Sequence, residues 1–373
     1  MNRLFALALA AAAVTSCAHH QDRYSRKQAQ KSLGKLEAPG IVVGEFKFGR
    51  VVDGDTVHVD GLDSSLRLLG LDTEETFKHE TERREFDKGW AEYKKFVRGS
   101  SPRPVKFATP MGDAARDWAV KWFADVDKVR LERDHPAEIR DRYNRYLAYV
   151  FANKGGQWLN YNVEAVRAGW APYFPKYGNS RRFHKDFLDA EAEAKAAHRG
   201  IWAPNVMAYD DYPEREAWWS ARGDFVAKFR EEAEGNGGKP NFIDLTHWDA
   251  MNTLEQYEAK KEEVTILATV GDVIIGEKGP TRVTLSRAQK SDFPLIFFDK
   301  DVFGTSGIAG WKGEWVRVTG VPTFYENKHT HKKQLQIVID RASQITLSQV
   351  PGLTKPTVPS EIPPTSTTTD TPD

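Results

Sequence analysis

The stretch Val51-Val52-Asp53-Gly54-Asp55-Thr56-Val57 places two acidic residues on either side of a glycine inside a run of β-forming residues. Valine and threonine favour strands, and glycine allows the backbone to turn tightly, so this stretch predicts a β-hairpin. Its bend would hold Asp53 and Asp55 side by side. Two carboxylates so close together are unfavourable unless they bind something, which makes the bend a candidate functional site.

A second apolar run, Leu66-Arg67-Leu68-Leu69-Gly70-Leu71-Asp72-Thr73-Glu74-Glu75-Thr76, follows the hairpin. If its strand pairs with the hairpin, Asp55, Asp72 and Glu75 converge at one end of a sheet, close to the Arg67 guanidinium. Carboxylate oxygens beside an arginine suit a divalent cation that holds a phosphate group. An Asp-Gly-Asp turn alone is also common in hairpins that bind no metal, so the prediction depends on both runs together.

The chain has 373 residues, and its 53 basic residues balance 53 acidic ones. This length predicts two domains with tails. Zero net charge neither favours nor excludes nucleic acid as a partner, so the local distribution of charge is more informative. Lysine and arginine crowd residues 83–106, with acidic residues between them. That segment is either a solvated helix face or a nucleic-acid contact.

The first residues have the pattern of an export signal, with a basic start, an apolar run and small residues before Cys17. The apolar run is too short to span a bilayer as a mature helix. Val14-Thr15-Ser16-Cys17 resembles a bacterial lipobox, which implies a signal peptide at 1–16, lipidation of Cys17 and a membrane anchor. Cleavage by an ordinary signal peptidase is the alternative.

Ala18 after the lipobox favours the outer membrane, with the protein facing the periplasm or the cell surface. Residues 17–39 are polar and unpatterned, which predicts a flexible tether. Cys17 is the single cysteine of the chain, so the sequence offers neither a disulfide framework nor a thiolate zinc site.

Residues 40–203 predict a small β-barrel with added helices, which is the α+β architecture of an OB-fold. The predicted helices span 113–126, 158–168 and 182–198. Asp113 is the predicted N-cap of the first helix. Trp118 and Trp122 fall at helical spacing, which indicates core residues rather than platforms for base stacking.

Four stretches occur in order across this predicted domain: Val52-Asp53-Gly54-Asp55-Thr56-Val57, Arg67-Leu68-Leu69-Gly70-Leu71-Asp72-Thr73-Glu74-Glu75, Asp141-Arg142-Tyr143-Asn144-Arg145-Tyr146-Leu147-Ala148-Tyr149 and Gly200-Ile201-Trp202. In this order they resemble the staphylococcal nuclease (thermonuclease) family. Any one stretch alone is a weak signal, but the ordered set is specific. The resemblance implies calcium-dependent hydrolysis of phosphodiester bonds in DNA and RNA, with little sequence preference and 3′-phosphate products.

The resemblance also implies roles for individual residues. The calcium ligands fall on Asp55, Asp72 and the backbone carbonyl of Thr73, with Asp53 in the next shell. Arg67 and Arg145 fall on the phosphate-binding positions. Glu75 falls on the residue described as the base that activates water. The further candidates for substrate contact are Tyr143, Tyr173 and Tyr177.

Three departures from the family pattern bear on the site. Glu74 stands where the family has proline, and the added carboxylate could disturb Glu75 or help to bind the cation. Asn144 replaces a glycine, and asparagine tolerates the positive φ that such a turn needs. The segment 77–109 is longer than the family's loop, and its basic residues could reach the nucleic-acid backbone. Those basic residues are Lys94, Lys95, Arg98, Arg103 and Lys106.

Residues 204–262 predict a helical connector, and strand patterns return at 263–348. The second strand-rich region loosely resembles nucleic-acid-binding OB-folds, so a second OB-like β-barrel is predicted. It is either a second nucleic-acid grip, with Arg317 among its basic residues, or a barrel for stability or docking. His329-Thr330-His331 could bind a metal as a strand-spaced pair of histidines. It lacks a third ligand at a recognisable spacing, which favours a solvent-exposed loop. The tail 349–373 is rich in proline and threonine and is expected to be disordered.

The sequence as a whole predicts an exported, lipid-anchored and monomeric nuclease that acts on DNA, RNA or both with Ca²⁺ as cofactor. The alternative is a catalytically inactive nucleic-acid-binding or envelope scaffold protein on the same fold. A scaffold has no need of Asp55, Asp72, Glu75, Arg67 and Arg145 together, and this favours the enzyme.

Overall fold

The computed structural model describes residues 40–101, 103–235, 237–286, 292–328 and 330–352. The predicted signal peptide, the Cys17 lipidation site, the tether and most of the predicted tail lie outside these residues. Val350 is 4% exposed, so the packed chain extends slightly into the predicted tail. Within the described part of the chain, no helix is long and apolar enough to cross a membrane.

The first sheet closes into a barrel. Its strands are β1 (Val42–Asp53), β2 (Thr56–Val59), β3 (Leu66–Leu68), β4 (Lys128–Glu132), β5 (Tyr146–Lys154) and β6 (Gln157–Asn160). The strand order is β3-β2-β1-β4-β5-β6, and β3 also pairs in parallel with β5. This extra pairing closes the first five strands, which confirms the predicted OB-fold with helices.

The hairpin of β1 and β2 is present as predicted, with Gly54 and Asp55 in its turn. A Cβ on Gly54 would lie 2.5 Å from Thr73 Cγ2, so only glycine lets the turn pack closely against this neighbour. The Tyr161 hydroxyl donates a hydrogen bond of 2.8 Å to the Gly54 carbonyl. These two contacts fix the turn, and with it the two carboxylates that flank Gly54.

Five helices accompany the barrel in the described residues: α1 (Glu80–Phe86), α2 (Trp90–Arg98), α3 (Pro110–Trp122), α4 (Tyr161–Arg167) and α5 (His184–Ala196). The prediction of Asp113 as an N-cap is wrong, because the Thr109 hydroxyl accepts the Gly112 N–H at 3.1 Å and α3 begins at Pro110. The helix predicted from residue 158 begins only at Tyr161, because β6 first pairs with β5.

Trp118 and Trp122 pack against the barrel core, as predicted. Their ring centroids lie 5.7 and 5.0 Å from that of Tyr161, the residue that also binds the hairpin turn. Both tryptophans are partly buried against the core cluster. The two tryptophans therefore support the hairpin turn through Tyr161.

The second sheet has eight strands: β7 (Phe242–Asp244), β8 (Val264–Ile274), β9 (Thr281–Ser286), β10 (Phe293–Phe297), β11 (Trp315–Gly320), β12 (Pro322–Glu326), β13 (Lys333–Val338) and β14 (Ile345–Leu347). Their order is β12-β13-β10-β9-β8-β11-β14, with β7 beside β8. Among the described residues no pairing joins β12 to β14. The second barrel-like sheet is present where it was predicted, but it is open.

The connector packs against both sheets. Its long helix, α6 (Tyr212–Glu234), is followed by β7 and α7 (Ala250–Lys260), and α8 (Lys300–Ser306) lies further along the second sheet region. Val226 and Phe229 of α6 join Leu267 and Trp315 of the second sheet in one buried cluster. The Trp219 ring contacts Phe174 of the first domain, with the ring centroids 4.8 Å apart.

Arg317 of β11 belongs to this packed face. Its Nη1 lies 2.9 Å from a carboxylate oxygen of Glu232, and its guanidinium lies 5.2 Å from the centroid of the Phe225 ring. For this residue the docking interpretation fits better than the nucleic-acid grip.

Candidate active site

The structure brings the predicted site residues of the first two runs together at one end of the barrel. Arg67 on β3 donates from Nη1 to Asp55 and from Nη2 to Asp72. All three side chains are largely buried, with 13%, 6% and 5% exposed for Arg67, Asp55 and Asp72. A buried carboxylate pair needs such a partner, because two unpaired charges would be costly to bury.

The two acids of the hairpin turn have opposite pKa shifts. Burial and the negative charge of Asp55 raise the pKa of Asp53 to about 7. For Asp55, burial acts in the same direction, but Arg67 and then Lys106 outweigh it and hold the pKa of Asp55 well below its usual range. Asp55 is therefore the permanently ionised member of the pair. Its Oδ1 also accepts the Thr56 hydroxyl at 2.8 Å.

Two lysines of the segment 77–109 reach into the cluster. Lys106 Nζ lies 2.5 Å from Asp72 Oδ1 and 3.6 Å from Glu75 Oε1. Lys78 Nζ lies 3.2 Å from Glu75 Oε2 and 3.8 Å from Asp53 Oδ2. Glu75 itself is 35% exposed at the rim of the cluster. Sequence reasoning missed Lys78, although it lies only three residues after Glu75.

The other four predicted basic residues of this segment pair with acids of the protein. Lys94 pairs with Asp210, Lys95 with Glu92, Arg98 with Asp211 and Arg103 with Glu314. Three of these acids belong to the connector or the second sheet region. These ion pairs run against the expectation that the whole set reaches the nucleic-acid backbone, and of the five predicted residues they leave Lys106 at the site.

Glu74 points away from the cluster, so the expectation that it helps to bind a cation or disturbs Glu75 is wrong. Its carboxylate accepts hydrogen bonds from the Thr109 hydroxyl, the Tyr209 N–H at 2.7 Å and the Tyr212 hydroxyl at 2.8 Å. It is 2% exposed. Glu74, which stands where the family has proline, therefore attaches the chain between Thr73 and Glu75 to the start of the connector.

Arg145 lies in the turn before β5 and pairs with Asp141. Its Nε donates at 2.8 Å and its Nη2 lies 2.7 Å from the same carboxylate oxygen. Asn144 in this turn has φ 68°, as expected for the position of a family glycine. Arg142 donates to the Ser286 hydroxyl at 2.9 Å, so the turn also contacts the second sheet. The Asp141 carboxylate thus holds the Arg145 guanidinium.

The three predicted substrate-contacting tyrosines differ in exposure. Tyr143 and Tyr177 are 62% and 61% exposed and can stack with a ligand. Tyr173 is 4% exposed, and its hydroxyl contacts His184 Nδ1 and the Ser180 N–H, both at 2.9 Å. This part of the prediction is wrong, because Tyr173 is buried and supports the chain near the site.

Phe174 is a site residue that sequence reasoning missed. Its ring lies under the Arg67 guanidinium and the Lys106 ammonium, 5.9 and 6.0 Å from the centroid. The ring is 7% exposed and also contacts Tyr177 edge-on, with the centroids 5.8 Å apart. The Phe174 ring thus forms an apolar surface below the two cations. Its position next to Tyr173 in the sequence did not predict these contacts.

The donor set fits a hard divalent cation. Asp53 Oδ1 is buried and has no hydrogen-bond partner among the described residues, which is costly for a carboxylate oxygen unless it binds something. Asp55, Asp72 and Thr73 are each at most 6% exposed and supply further oxygens beside it. Oxygen ligands of this kind are those that Ca²⁺ takes in proteins.

Comparison with known proteins agrees with this geometry. The family model described as Staphylococcal nuclease homologue matches residues 65–204. The Thermonuclease of Staphylococcus hyicus is 31% identical over 163 residues, which cover 42% of this chain and 75% of that protein. An uncharacterised protein of Methanocaldococcus jannaschii is 32% identical over 159 residues, which cover 42% of this chain and 70% of that protein.

A third relative, Endonuclease YhcR of Bacillus subtilis, is 28% identical over 187 residues, which cover 48% of this chain and 13% of that protein. The closed barrel and the cluster of acids and cations at its end thus define a hydrolase of the nuclease class. The chain belongs to the staphylococcal nuclease homologue family.

Proposed function

We propose that this protein is an exported, calcium-dependent nuclease that hydrolyses phosphodiester bonds of DNA, RNA or both with low sequence specificity. The observation that carries the proposal is the Arg67 guanidinium between Asp55 and Asp72, with Glu75 on the exposed rim and an unpaired oxygen on Asp53. A buried cluster of this kind that served only stability would have its oxygens paired.

Each residue of the cluster has a role in this proposal. Glu75 takes a proton from the attacking water, for which its exposure at the rim is suitable. Arg67 has guanidinium donors beyond the two that bind Asp55 and Asp72, and these hold a phosphate oxygen. Arg145 binds the phosphate from the turn before β5 after it exchanges Asp141 for the substrate.

Asp55, Asp72 and the carbonyl of Thr73 would hold Ca²⁺, with Asp53 behind them. A bound Ca²⁺ would supply positive charge that stabilises the negative charge growing on the phosphate in the transition state. Arg67 stabilises the same charge from a fixed position, since Asp55 and Asp72 hold its guanidinium. Arg145 stabilises this charge once it has exchanged Asp141 for the substrate. Tyr143 and Tyr177 are exposed enough to contact the bases.

The proposed cellular setting follows from the amino terminus. Cleavage before Cys17 and lipidation of its thiol would anchor the nuclease as a monomer in the cell envelope, through the tether 17–39. Mass spectrometry of the mature protein measures this directly. A lipidated Cys17 as the first residue is the expected result, and an unmodified amino terminus elsewhere would remove the anchor from the proposal.

Cleavage assays test the activity. The chain from Gln21 onward is incubated with single-stranded DNA, duplex DNA or RNA, with Ca²⁺ or a chelator. We expect calcium-dependent cleavage, and a loss of about 10²–10⁴-fold in the Glu75→Gln variant, which is the usual contribution of a positioned base. Glu92→Gln is the matched control, because Glu92 is an exposed acid that pairs with Lys95 in α2.

Two results would contradict the proposal in different ways. Binding of nucleic acid without cleavage of any substrate would favour the inactive binding or scaffold protein. Full cleavage by Glu75→Gln would keep the nuclease but remove Glu75 as its base.

A further inference from the structure

A second cluster of potential metal ligands lies away from the nuclease site. His135 and Glu138 belong to the loop between β4 and β5, and His247 belongs to the turn between β7 and α7. One ligand atom from each of the three residues lies within 4.8 Å of the others. The two imidazole rings are stacked, with their centroids 4.7 Å apart and an angle of 15° between the planes.

We propose that His135, Glu138 and His247 form a binding site for a transition-metal ion of the zinc class, which fastens the connector to the first barrel. Two imidazoles and one carboxylate are a ligand set that Zn²⁺ uses in proteins. The set differs from the all-oxygen donors near Asp55, so the two sites select different metals.

His247 supplies the strongest observation. Its Nε2 atom is buried and has no hydrogen-bond partner within the described residues. The nearest acidic atoms, Glu138 Oε1 and Asp244 Oδ2, are both 3.8 Å away, which is too far for a hydrogen bond. A metal ion between the imidazole and the Glu138 carboxylate would satisfy this nitrogen at bond lengths of about 2.0–2.2 Å, after a small inward movement of both side chains.

The Glu138 carboxylate is held in place by an arginine. The Glu138 side chain is 12% exposed. Arg230 Nη2 donates to Glu138 Oε1 at 2.6 Å. A carboxylate has about four acceptor positions on two oxygens, so it can keep the arginine and still bind a metal.

His135 supplies the second imidazole and lies in the same loop as Glu138. Its Nδ1 accepts the Ala137 N–H at 3.2 Å, a long hydrogen bond that metal binding to either ring nitrogen would end. His135 is therefore the weakest of the three ligands, and the test relies mainly on the other two.

The side chains around the cluster carry balanced charges, and a cavity opens beside them. Arg181 and Arg230 are positive, while Glu138 and Asp244 are negative and close to His247. A cavity of 280 Å³ borders the cluster on the connector side, and His247, Asp244, Arg181 and Arg230 are among its lining residues. The cavity gives an ion a route to the ligands and space for water in the open coordination positions.

A metal ion bound here would link the first barrel to the connector. The Trp248 N–H donates to the Ala137 carbonyl at 3.2 Å, which is a backbone link between the same two loops. A shared metal ion would add a stronger link at the same place. This inference does not depend on the nuclease activity.

Titration with Co²⁺, a spectroscopic substitute for Zn²⁺, tests the site. The full chain carries Cys17→Ser to remove a competing thiolate, and excess Ca²⁺ occupies the acidic cluster. We expect one equivalent of Co²⁺ to give visible absorption bands of a four- or five-coordinate site, and Zn²⁺ to displace it and raise the melting temperature by several degrees.

The variants His247→Gln and Glu138→Gln should each weaken Co²⁺ binding at least tenfold, whereas His331→Ala should titrate as the parent does. His331 is the matched control because it is an exposed histidine that lies 3.2 Å from Glu326. Circular dichroism establishes that each variant is folded. If either variant does not fold, anomalous diffraction from cobalt-soaked crystals of the parent gives the answer instead.

A cobalt peak between His247 and Glu138 would support the site. Absence of the absorption bands from the parent chain, unchanged titration of both variants, or a cobalt peak elsewhere would each overturn it.

Discussion

Asp72 in the first barrel and Glu314 beside the second sheet are both buried carboxylates that pair with an arginine and a second cation, but their surroundings differ. Asp72 pairs with Arg67 and Lys106, and the Lys106 side chain is 40% exposed. Glu314 is fully buried and pairs with Arg222, which is 1% exposed, and with Arg103. One cluster opens to solvent, and the other is enclosed between domains.

The two clusters also differ in whether their oxygens are satisfied. Glu314 accepts from Arg103, from Arg222 and from Trp218 Nε1 at 3.0 Å, so both of its oxygens have partners. The cluster around Asp72 includes the unpaired Asp53 Oδ1. The same pairing chemistry thus produces a structural cross-link where it is complete and, in the proposed nuclease, a metal site where it is incomplete.

The largest expected effect is that of Arg67→Met. Without the guanidinium, Asp55 and Asp72 are left as buried charges, and breaking a buried pair costs about 3–5 kcal/mol of stability. Cleavage should fall by about 10²–10³-fold or more. Ca²⁺ should restore part of the lost stability, because a cation between the carboxylates replaces the missing charge. Urea unfolding with Ca²⁺ or chelator, and cleavage under single-turnover conditions, measure these effects.

Arg116→Met is the control for this experiment, since Arg116 is a half-exposed barrel-domain residue and lies 3.8 Å from Asp117. We expect it to change stability by less than about 1 kcal/mol. If Arg67→Met without Ca²⁺ were as stable as the parent, the buried charges of Asp55 and Asp72 would not need the Arg67 guanidinium. The proposed difference between the two clusters would then lose its basis.

Glu314→Gln should have a smaller and different effect. The amide cannot neutralise Arg222 and Arg103, so stability should fall by about 3 kcal/mol, the lower end for a broken buried pair. Cleavage well below the melting temperature should stay within twofold of the parent. A large loss of cleavage in a well-folded variant would instead mean that the enclosed cluster acts on the site through Arg103 and its neighbours in the segment 77–109.

The parts of the site that the sequence could predict are local in the chain. Asp55 lies in the turn that leads into β2, Arg67 lies on β3, which pairs with β2, and Asp72 follows shortly after. Turn chemistry and strand alternation are enough to bring such residues to one end of a sheet. For the same reason the positive φ of Asn144 could be predicted from its residue type.

The parts that could not be predicted depend on contacts between distant residues. Glu74 looks like one more acid near the metal, but its partners Tyr209 and Tyr212 lie over 130 residues away and turn it toward the connector. The open second sheet has a similar cause, since short strands such as β14 are defined by pairing and not by their own pattern. Charge patterning likewise could not separate Lys106 from the other lysines of its segment.

Lys106→Met gives the smallest expected effect and sharpens the comparison most directly. The Lys106 ammonium lies 2.5 Å from Asp72 and thus neutralises an oxygen that a calcium ion would also bind. Its removal should increase calcium affinity about fivefold, because a partly exposed ion pair contributes about 1 kcal/mol and 1.4 kcal/mol corresponds to tenfold. Calorimetric titration with Ca²⁺ measures this without reference to turnover.

Lys94→Met is the matched control, since Lys94 belongs to the same segment but pairs with Asp210 of the connector. It should bind Ca²⁺ as the parent does. Equal or weaker calcium binding by Lys106→Met would mean that the ammonium positions the carboxylates and does not compete with the ion. The cluster around Asp72 would then differ from the cluster around Glu314 only in its exposure to solvent. Metal binding would then depend on the unpaired Asp53 oxygen alone.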